Sequence, residues 1–268
     1  MGRRHKKSYR LAVPRCGIAD YASAQIAGMD NIIYLNKNYI AGVSDEFGAE
    51  MHRHPVLEIY ASCDGNSHVS VNGVLISGQI ITIGAGAVHA IADSGKRGIV
   101  LFIDPLSSYG YSIQKNILGY NHFNISESTV IKSEIQSLLK DTSEQNIDKT
   151  ADLILNVLKG RQILRPFDTA VLKTIDLLDK DCIEFDMDTI ADKVCLSKSR
   201  LAHLFSEQTG ITLKTYIQYK RMETACKRII AGLNITAASF DTGFSSSSHI
   251  AASSKKLTGM QLRKMLNL

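Results

Sequence analysis

The sequence predicts an α+β chain of two domains: a β-barrel with a pair of helices behind it, then an all-α C-terminal domain. Three observations carry that prediction. Up to about residue 125, short runs rich in Val, Ile, Tyr and Thr are broken by Gly, Asn and Asp at regular intervals. Past Ser126 the apolar residues move to helical spacing. Basic charge then collects towards the end of the 268-residue chain.

The first part reads as strands. "HVSVNGVLI" is two alternating segments joined at Asn72-Gly73, a dipeptide that accepts positive φ in a type I′ turn. "GQIITIGAGAVHAI" and "RGIVLFID" follow, and several short strands separated by turns imply a sandwich or barrel over residues 1–125. Val56, Ile59, Val69, Val71, Ile81, Ile83 and Phe102 are its candidate core or pocket wall. In 126–165, Val130, Ile131, Ile135, Leu138 and Leu139, then Leu153, Ile154, Val157 and Leu158, fall on helix faces. Gly160 suits the stop of the second helix, and "GRQILRPF" reads as a linker. Residues 166–268 read as helices punctuated at Gly210, Gly232, Gly243 and Gly259.

Composition excludes several classes. With 44% apolar residues the chain can bury a core, and no apolar run approaches the ~18 residues of a membrane span. The basic "MGRRHKKSYRL" start has no apolar stretch behind it, so it reads as a solvated tail rather than a secretory signal. Cys16, Cys63, Cys182, Cys195 and Cys226 are odd in number and scattered, which is neither a disulfide framework nor a zinc site and fits a cytoplasmic protein. "GAGAVH" lacks the spacing and the lysine of a phosphate loop. From Ile190 to Leu268, twelve basic residues face four acidic ones, a net +8 in a chain whose formal total is +5. A basic end on a slightly acidic body points to a polyanionic partner.

That end has internal structure. In "DTIADKVCLSKSRLAHLFSEQTG", Ile190, Ala191 and Val194 share one helix face, and Ser197 is a good cap for a second helix. Leu201, Leu204 and Phe205 turn inward there, leaving Lys198, Ser199, Arg200, Ala202 and His203 outside. A short bracing helix followed by one presenting its first turn is a helix-turn-helix pattern. After "TLKTYIQYKRMETACKRIIAG" the pattern recurs. Ile235, Ala238 and Phe240 give the first helix, Gly243-Phe244 the turn, and Ser245 the expected cap, with Lys255-Lys256 near the end. Lys220, Lys227 and Arg228 on the connecting helix read equally as DNA contacts or as a solvated face.

The run "IA..V.LS.SRL..LF...TG....YI..KR...A" from Ile190 to Ala225, with "GFSS.SH" at Gly243 to His249 and the lysines at 255 and 256, resembles the DNA-binding domain of AraC/XylS-family transcription regulators. The resemblance implies base or phosphate contacts from Ser197, Lys198, Ser199, Arg200, Ala202 and His203 in the first unit. In the second it implies Ser246, Ser247, Ser248, His249, Ala252 and Lys255, with Arg221 as a structural or phosphate contact. The second unit departs from the family at Ala238, Thr242, Ser253, Ser254 and Thr258, where larger apolar residues are usual. That predicts a weaker core, each missing side chain forfeiting about 1–3 kcal/mol of burial.

A second resemblance lies in the barrel. Gly48-x3-His52-x-His54-x3-Glu58-x6-Gly65 and Gly78-x5-Gly84-x-Gly86-x2-His89 are similar to the two cupin motifs. They put His52, His54, Glu58 and His89 at the positions that hold metal in metallo-cupins. Strand alternation sends His52, His54 and Glu58 to one face of one strand. No cofactor is fixed by the sequence, but three imidazoles and a carboxylate suit divalent Fe, Mn, Ni or Zn. The same four, with Ile83, also suit an effector pocket without metal.

Together the resemblances imply a regulator, not an enzyme: an activator binding double-stranded promoter DNA, answering to a small-molecule effector, working with RNA polymerase as a homodimer, and away from membranes. The alternative is a metal-dependent, dioxygenase-like cupin enzyme with a helical accessory domain.

Overall fold

The computed structural model describes residues 21–24, 32–44, 48–63, 67–91, 98–180, 186–258 and 261–266. The basic N-terminal segment, Cys16, Gly65, Cys182 and Gly259, and the side chains of Thr258 and Lys264, lie outside the described residues. Eleven described strands form two antiparallel sheets. The larger runs β1-β2-β3-β10-β5-β8-β11, built from Tyr21–Ala24, Ile32–Asn36, Tyr39–Ser44, Gly98–Ile103, Leu57–Ser62, Ile80–Ile83 and Phe123–Ser126 in that order. The smaller runs β4-β9-β6-β7, from Ala49–His52, His89–Ile91, Ser67–Val71 and Val74–Gly78.

Local chemistry explains the tightest turn. Asn72 (φ 49°) and Gly73 (φ 82°) both adopt left-handed backbone, as a type I′ turn demands, and Val71 pairs with Val74 across it. Between the sheets, Val69, Val71, Ile76, Ile81, Ile83, Ala87 and Ile91 form a buried cluster. The other face of the larger sheet is covered by two helices, α2 (Thr129–Leu138) and α3 (Glu144–Lys159). Their Ile131, Ile135, Leu138, Ile147, Ile154 and Leu158 meet Leu57, Ile59, Ile99 and Leu101 from the sheet. Ser128 caps α2 by accepting from the Ile131 amide at 3.3 Å, and Gly160 (φ 58°) ends α3. Val130 and Val157, which share the apolar spacing, stay exposed.

The helical character begins earlier than the sequence predicts. Before β11 comes α1 (Ser108–Ile113), continued by a π-helical turn (Gln114–Leu118). Its short run of Ser, Tyr and Gly shows no apolar period, and its start is set by Ser107, which accepts from the Gly110 amide.

The C-terminal helices are α4 (Thr169–Asp179), α5 (Met187–Lys193), α6 (Lys198–Thr209), α7 (Leu213–Ile230), α8 (Ile235–Asp241), α9 (Ser247–Thr258) and α10 (Leu262–Met265). They pack as two cores joined by α7. Val171, Ile175, Ile190, Ala191, Leu201, Leu204, Phe205 and Tyr216 form one. Met222, Ala225, Cys226, Ile229, Ala238, Phe244, Ile250 and Leu257 form the other. Leu106, just past β10, belongs to the first of these cores, and Ile33 of β2 packs on the second. Among the described residues the barrel therefore touches both helical cores. No described helix is long and apolar enough to cross a membrane.

Candidate functional site

Strand alternation does not put the barrel's polar residues on one face as expected. His52 ends β4 in the smaller sheet, the chain bends through Pro55 and Val56, and Glu58 lies on β5 in the larger sheet. Pro55 has no N–H to give a ladder, so the strand breaks there. His89 opens β9 and pairs directly with His52. The four side chains thus converge from both sheets, and one ligand atom from each lies within 4.8 Å of the others. All four residues are buried, Glu58 at 1% exposure and His89 at 0%.

The imidazoles are held in one tautomeric sense. His52 Nδ1 lies 2.7 Å from the Glu50 carbonyl, His54 Nδ1 3.0 Å from the Val56 carbonyl, and His89 Nδ1 3.0 Å from the Ala87 carbonyl. A carbonyl only accepts, so each Nδ1 carries the hydrogen, and each Nε2 is left to face inward. Yet the Nε2 atoms of His54 and His89 sit 3.1 Å and 2.8 Å from Glu58 Oε2. Two lone pairs do not hold that distance; a positive charge must lie between them, as a proton on the ring or as a shared cation.

Electrostatics agrees. Burial opposes charge on His89, but the Glu58 hydrogen bond wins and holds its pKa above the usual histidine value. Burial and the neighbouring His89 push His52 down to about 4, leaving it a neutral donor. Burial would raise Glu58, but bonds from His54 and His89 override it and hold the carboxyl well below its ordinary range. Three backbone-oriented Nε2 donors and one ionised carboxylate fit a divalent metal, and the carbonyls are the outer partners such ligands require. Ile83, buried at 0%, pairs with Glu58 across β8 and β5, and the Phe102 ring meets His54 edge-on at 5.8 Å.

The second candidate surface is helical. In the first unit, Asp186 caps α5 by accepting from the Thr189 amide, and the chain turns at Cys195 (φ 57°). Ser197 caps α6 by accepting from the Arg200 amide at 3.3 Å. Ser197, Lys198, Ser199, Arg200 and His203 are exposed and Ala202 is half-buried, while Leu201, Leu204 and Phe205 face the core. Lys198 Nζ lies 2.5 Å from Asp188, and His203 Nδ1 lies 3.5 Å from Glu207.

The second unit repeats this with a different cap. Ser246, not Ser245, occupies the capping position of α9, accepting from the His249 amide at 3.1 Å; the Ser245 hydroxyl instead meets His249 Nδ1 at 3.1 Å. Ile235, Ala238 and Phe240 do lie on one helix, α8, whose buried face is Ala238 and Ser239, with Phe240 64% exposed. Ser248, His249, Ala252 and Lys255 are exposed and Ser247 is half-buried. The Arg221 guanidinium packs beside the turn, where a Cβ on Gly243 (φ 76°) would come within 3.4 Å of it.

Lys220 is not on a solvated face. Its side chain is 11% exposed and its Nζ lies 2.7 Å from Asp104, 2.7 Å from Asp179 and 3.2 Å from Glu223. Lys227 pairs with Glu223 at 2.9 Å, and Arg228 with Asp241. The helical spacings of Lys220 and Lys227 to Glu223 are local, but Asp104, far away in the chain, gave no signal. Glu50 was also missed. Its carboxylate lies 3.1 Å from Lys255 of α9, and "AEMH" offers no local hint of that partner.

Two helix-turn-helix units beside a two-sheet barrel define the class: a barrel domain joined to a helix-turn-helix domain. Residues 190–267 match the family described as a helix-turn-helix domain. No curated protein sequence matches the chain. Among solved structures the fold is similar to ToxT from Vibrio cholerae, at 11% identity and TM-score 0.53 over 86% of this chain and 98% of that one. An apo ToxT variant from Vibrio cholerae strain SCE256 gives 14% identity and TM-score 0.56, over 87% and 98%. The unsaturated fatty acid-bound ToxT of that strain gives 14% and 0.51, over 86% and 95%. These likenesses establish the two-domain fold.

Proposed function

We propose that this chain is a transcription regulator that binds double-stranded promoter DNA through α6 and α9 and answers to an effector at the His52–His54–Glu58–His89 centre. The observation that carries the reading is the pair of capped helices with exposed first turns within the matched helix-turn-helix domain. Ser197, Lys198, Ser199, Arg200, Ala202 and His203 read or grip one major groove. Ser246, Ser247, Ser248, His249, Ala252 and Lys255 meet the next, one helical turn of DNA away. Arg221 braces the second turn. Small readout side chains imply that phosphate contacts supply most of the affinity.

In this reading the barrel, 1–125, is the sensor, 126–165 carries the dimer contact, and 166–268 binds DNA. The effector is a divalent metal, Fe, Mn, Ni or Zn, or a small molecule seated on the same four residues beside Ile83. The output is activation through RNA polymerase, in the cytoplasm.

The test is a gel shift on fragments of the gene's own upstream region, with chelator and with each metal added in turn. A shift that Lys198→Ala and Arg200→Ala weaken, and that metal modulates in the wild type but not in Glu58→Gln, supports it. A protein that ignores duplexes even at low salt refutes it. The rival reading, a metal-dependent enzyme, rests on the same four ligands and predicts turnover that His52→Ala abolishes while DNA binding persists.

A further inference from the structure

Strand β4 touches both candidate sites. It is an edge strand of the smaller sheet, and α9 lies alongside it. Around that contact β1 lies against α7, and Ile33 of β2 packs on the second unit's core. The DNA-reading helix of the second unit is thus docked on the barrel.

One residue sits at the junction. The Glu50 side chain reaches Lys255 of α9 at 3.1 Å, while its main-chain carbonyl holds His52 Nδ1 at 2.7 Å. The two roles use different atoms of one residue. Lys255 is the one cation among the second unit's proposed DNA contacts, and here a barrel carboxylate takes the place a phosphate would have.

The geometry points to Glu50 as a positioning residue that latches α9 to the barrel and ties that latch to the His/Glu centre, so that Lys255 reaches a DNA phosphate only by leaving the Glu50 carboxylate. This rests on the function proposed above. Glu58 Oε2 accepts from His54 and His89 but has no such bond with His52, so a ligand shared by all four groups must engage His52 anew. That engagement acts on the end of β4, and through Glu50 on Lys255. Because linkage is reciprocal, DNA that frees α9 changes the centre's affinity by the same factor as the centre's ligand changes DNA affinity.

The pair is exposed, with Lys255 at 54% and Glu50 at 72%, so the expected effect is modest and salt-sensitive. Glu50→Gln removes the charge and keeps the carbonyl. The test measures DNA affinity by fluorescence anisotropy on the full chain, and amide exchange of α9 with Zn and with chelator. Glu134→Gln, which removes a carboxylate paired with Lys149 on the helices behind the barrel, is the control for net charge. Expected for Glu50→Gln is DNA binding roughly two- to five-fold tighter at low salt, converging with wild type as salt rises. Zn affinity shifts by no more than the same two- to five-fold factor, and the Zn-dependent change in α9 protection seen in wild type is lost.

Equal tightening by Glu134→Gln overturns the inference, as does a Zn response of α9 that survives in Glu50→Gln. Wild-type binding that is simply indifferent to Glu50 sinks the latch and leaves the regulator reading standing. A wild type that binds no duplex sinks the regulator reading itself.

Discussion

Lys220 Nζ lies 2.7 Å from the Asp104 carboxylate, which sets a cation of α7 against the end of barrel strand β10. Tyr216, one turn earlier, donates to the same carboxylate at 2.6 Å. Burial alone would pull the Lys220 pKa down, but Glu223 and Asp104 hold it well above the usual lysine value. The charge is therefore fixed where the two domains meet. The neighbouring main chain adds to the joint, since Arg165 donates to the Leu106 carbonyl at 2.6 Å.

Removing that cation should be costly. Lys220→Met leaves the Asp104 and Glu223 carboxylates, 10% and 12% exposed, facing one another without their shared partner. Breaking a buried pair on one side costs about 3–5 kcal/mol. Urea unfolding should show a loss of that order, against under ~0.5 kcal/mol for Lys149→Ala, whose ammonium is 64% exposed. Matching midpoints for the two variants would mean that Lys220 holds nothing together.

The same cluster should respond to acid. Burial opposes ionisation of Glu223, but Lys220 and Lys227 override it and lower its pKa from 4.5 to about 2. A carboxyl depressed in the folded state adds stability that is complete above the unfolded pKa and is lost as pH falls through the folded one. Stability should therefore decline between pH 4.5 and about 2. Glu223→Gln should flatten that part of the curve, measured by urea midpoints at a series of pH values. A slope identical to wild type would assign the acid response elsewhere, Glu58 being the next candidate because its carboxyl is depressed too.

Sequence legibility followed the range of the interactions. The Asn72-Gly73 turn and the Ser197 cap are decided by adjacent residues, and both were readable. The four ligand types were readable as a motif, but not their placement, because Pro55 breaks the strand and moves Glu58 to the opposite sheet. α1 was not readable, since its Ser, Tyr and Gly carry no apolar period. The Lys220–Asp104 and Lys255–Glu50 pairs were invisible, because nothing local marks residues that meet only after both domains have folded.

DNA binding should separate grip from readout. Lys198 is 54% exposed and pairs with an exposed Asp188 carboxylate at 2.5 Å, so a phosphate can replace that partner. Lys198→Ala should weaken binding to all sequences alike and lower the slope of log affinity against log salt by about 1. Ser199→Ala should leave the slope alone and relax preference at one base position. An unchanged salt slope in Lys198→Ala would remove this lysine from the interface.

The second unit should open more readily than the first. Its core buries Ala238 at 0%, Thr242 at 0%, Ser253 at 5% and Ser254 at 0%, where the first unit buries Ile190, Leu201, Leu204 and Phe205. Thr242 spends its hydroxyl on the Ala238 carbonyl at 2.7 Å, which satisfies the group but adds no apolar area. Each missing side chain forfeits about 1–3 kcal/mol of burial, and the barrel contact of α9 recovers part of that. Native-state amide exchange should therefore show opening free energies in α8 and α9 below those in α5 and α6 by at least ~1 kcal/mol, with the gap narrowing on DNA. Equal protection of the two units in the free protein would show that small, polar side chains pack this core as well as leucine does.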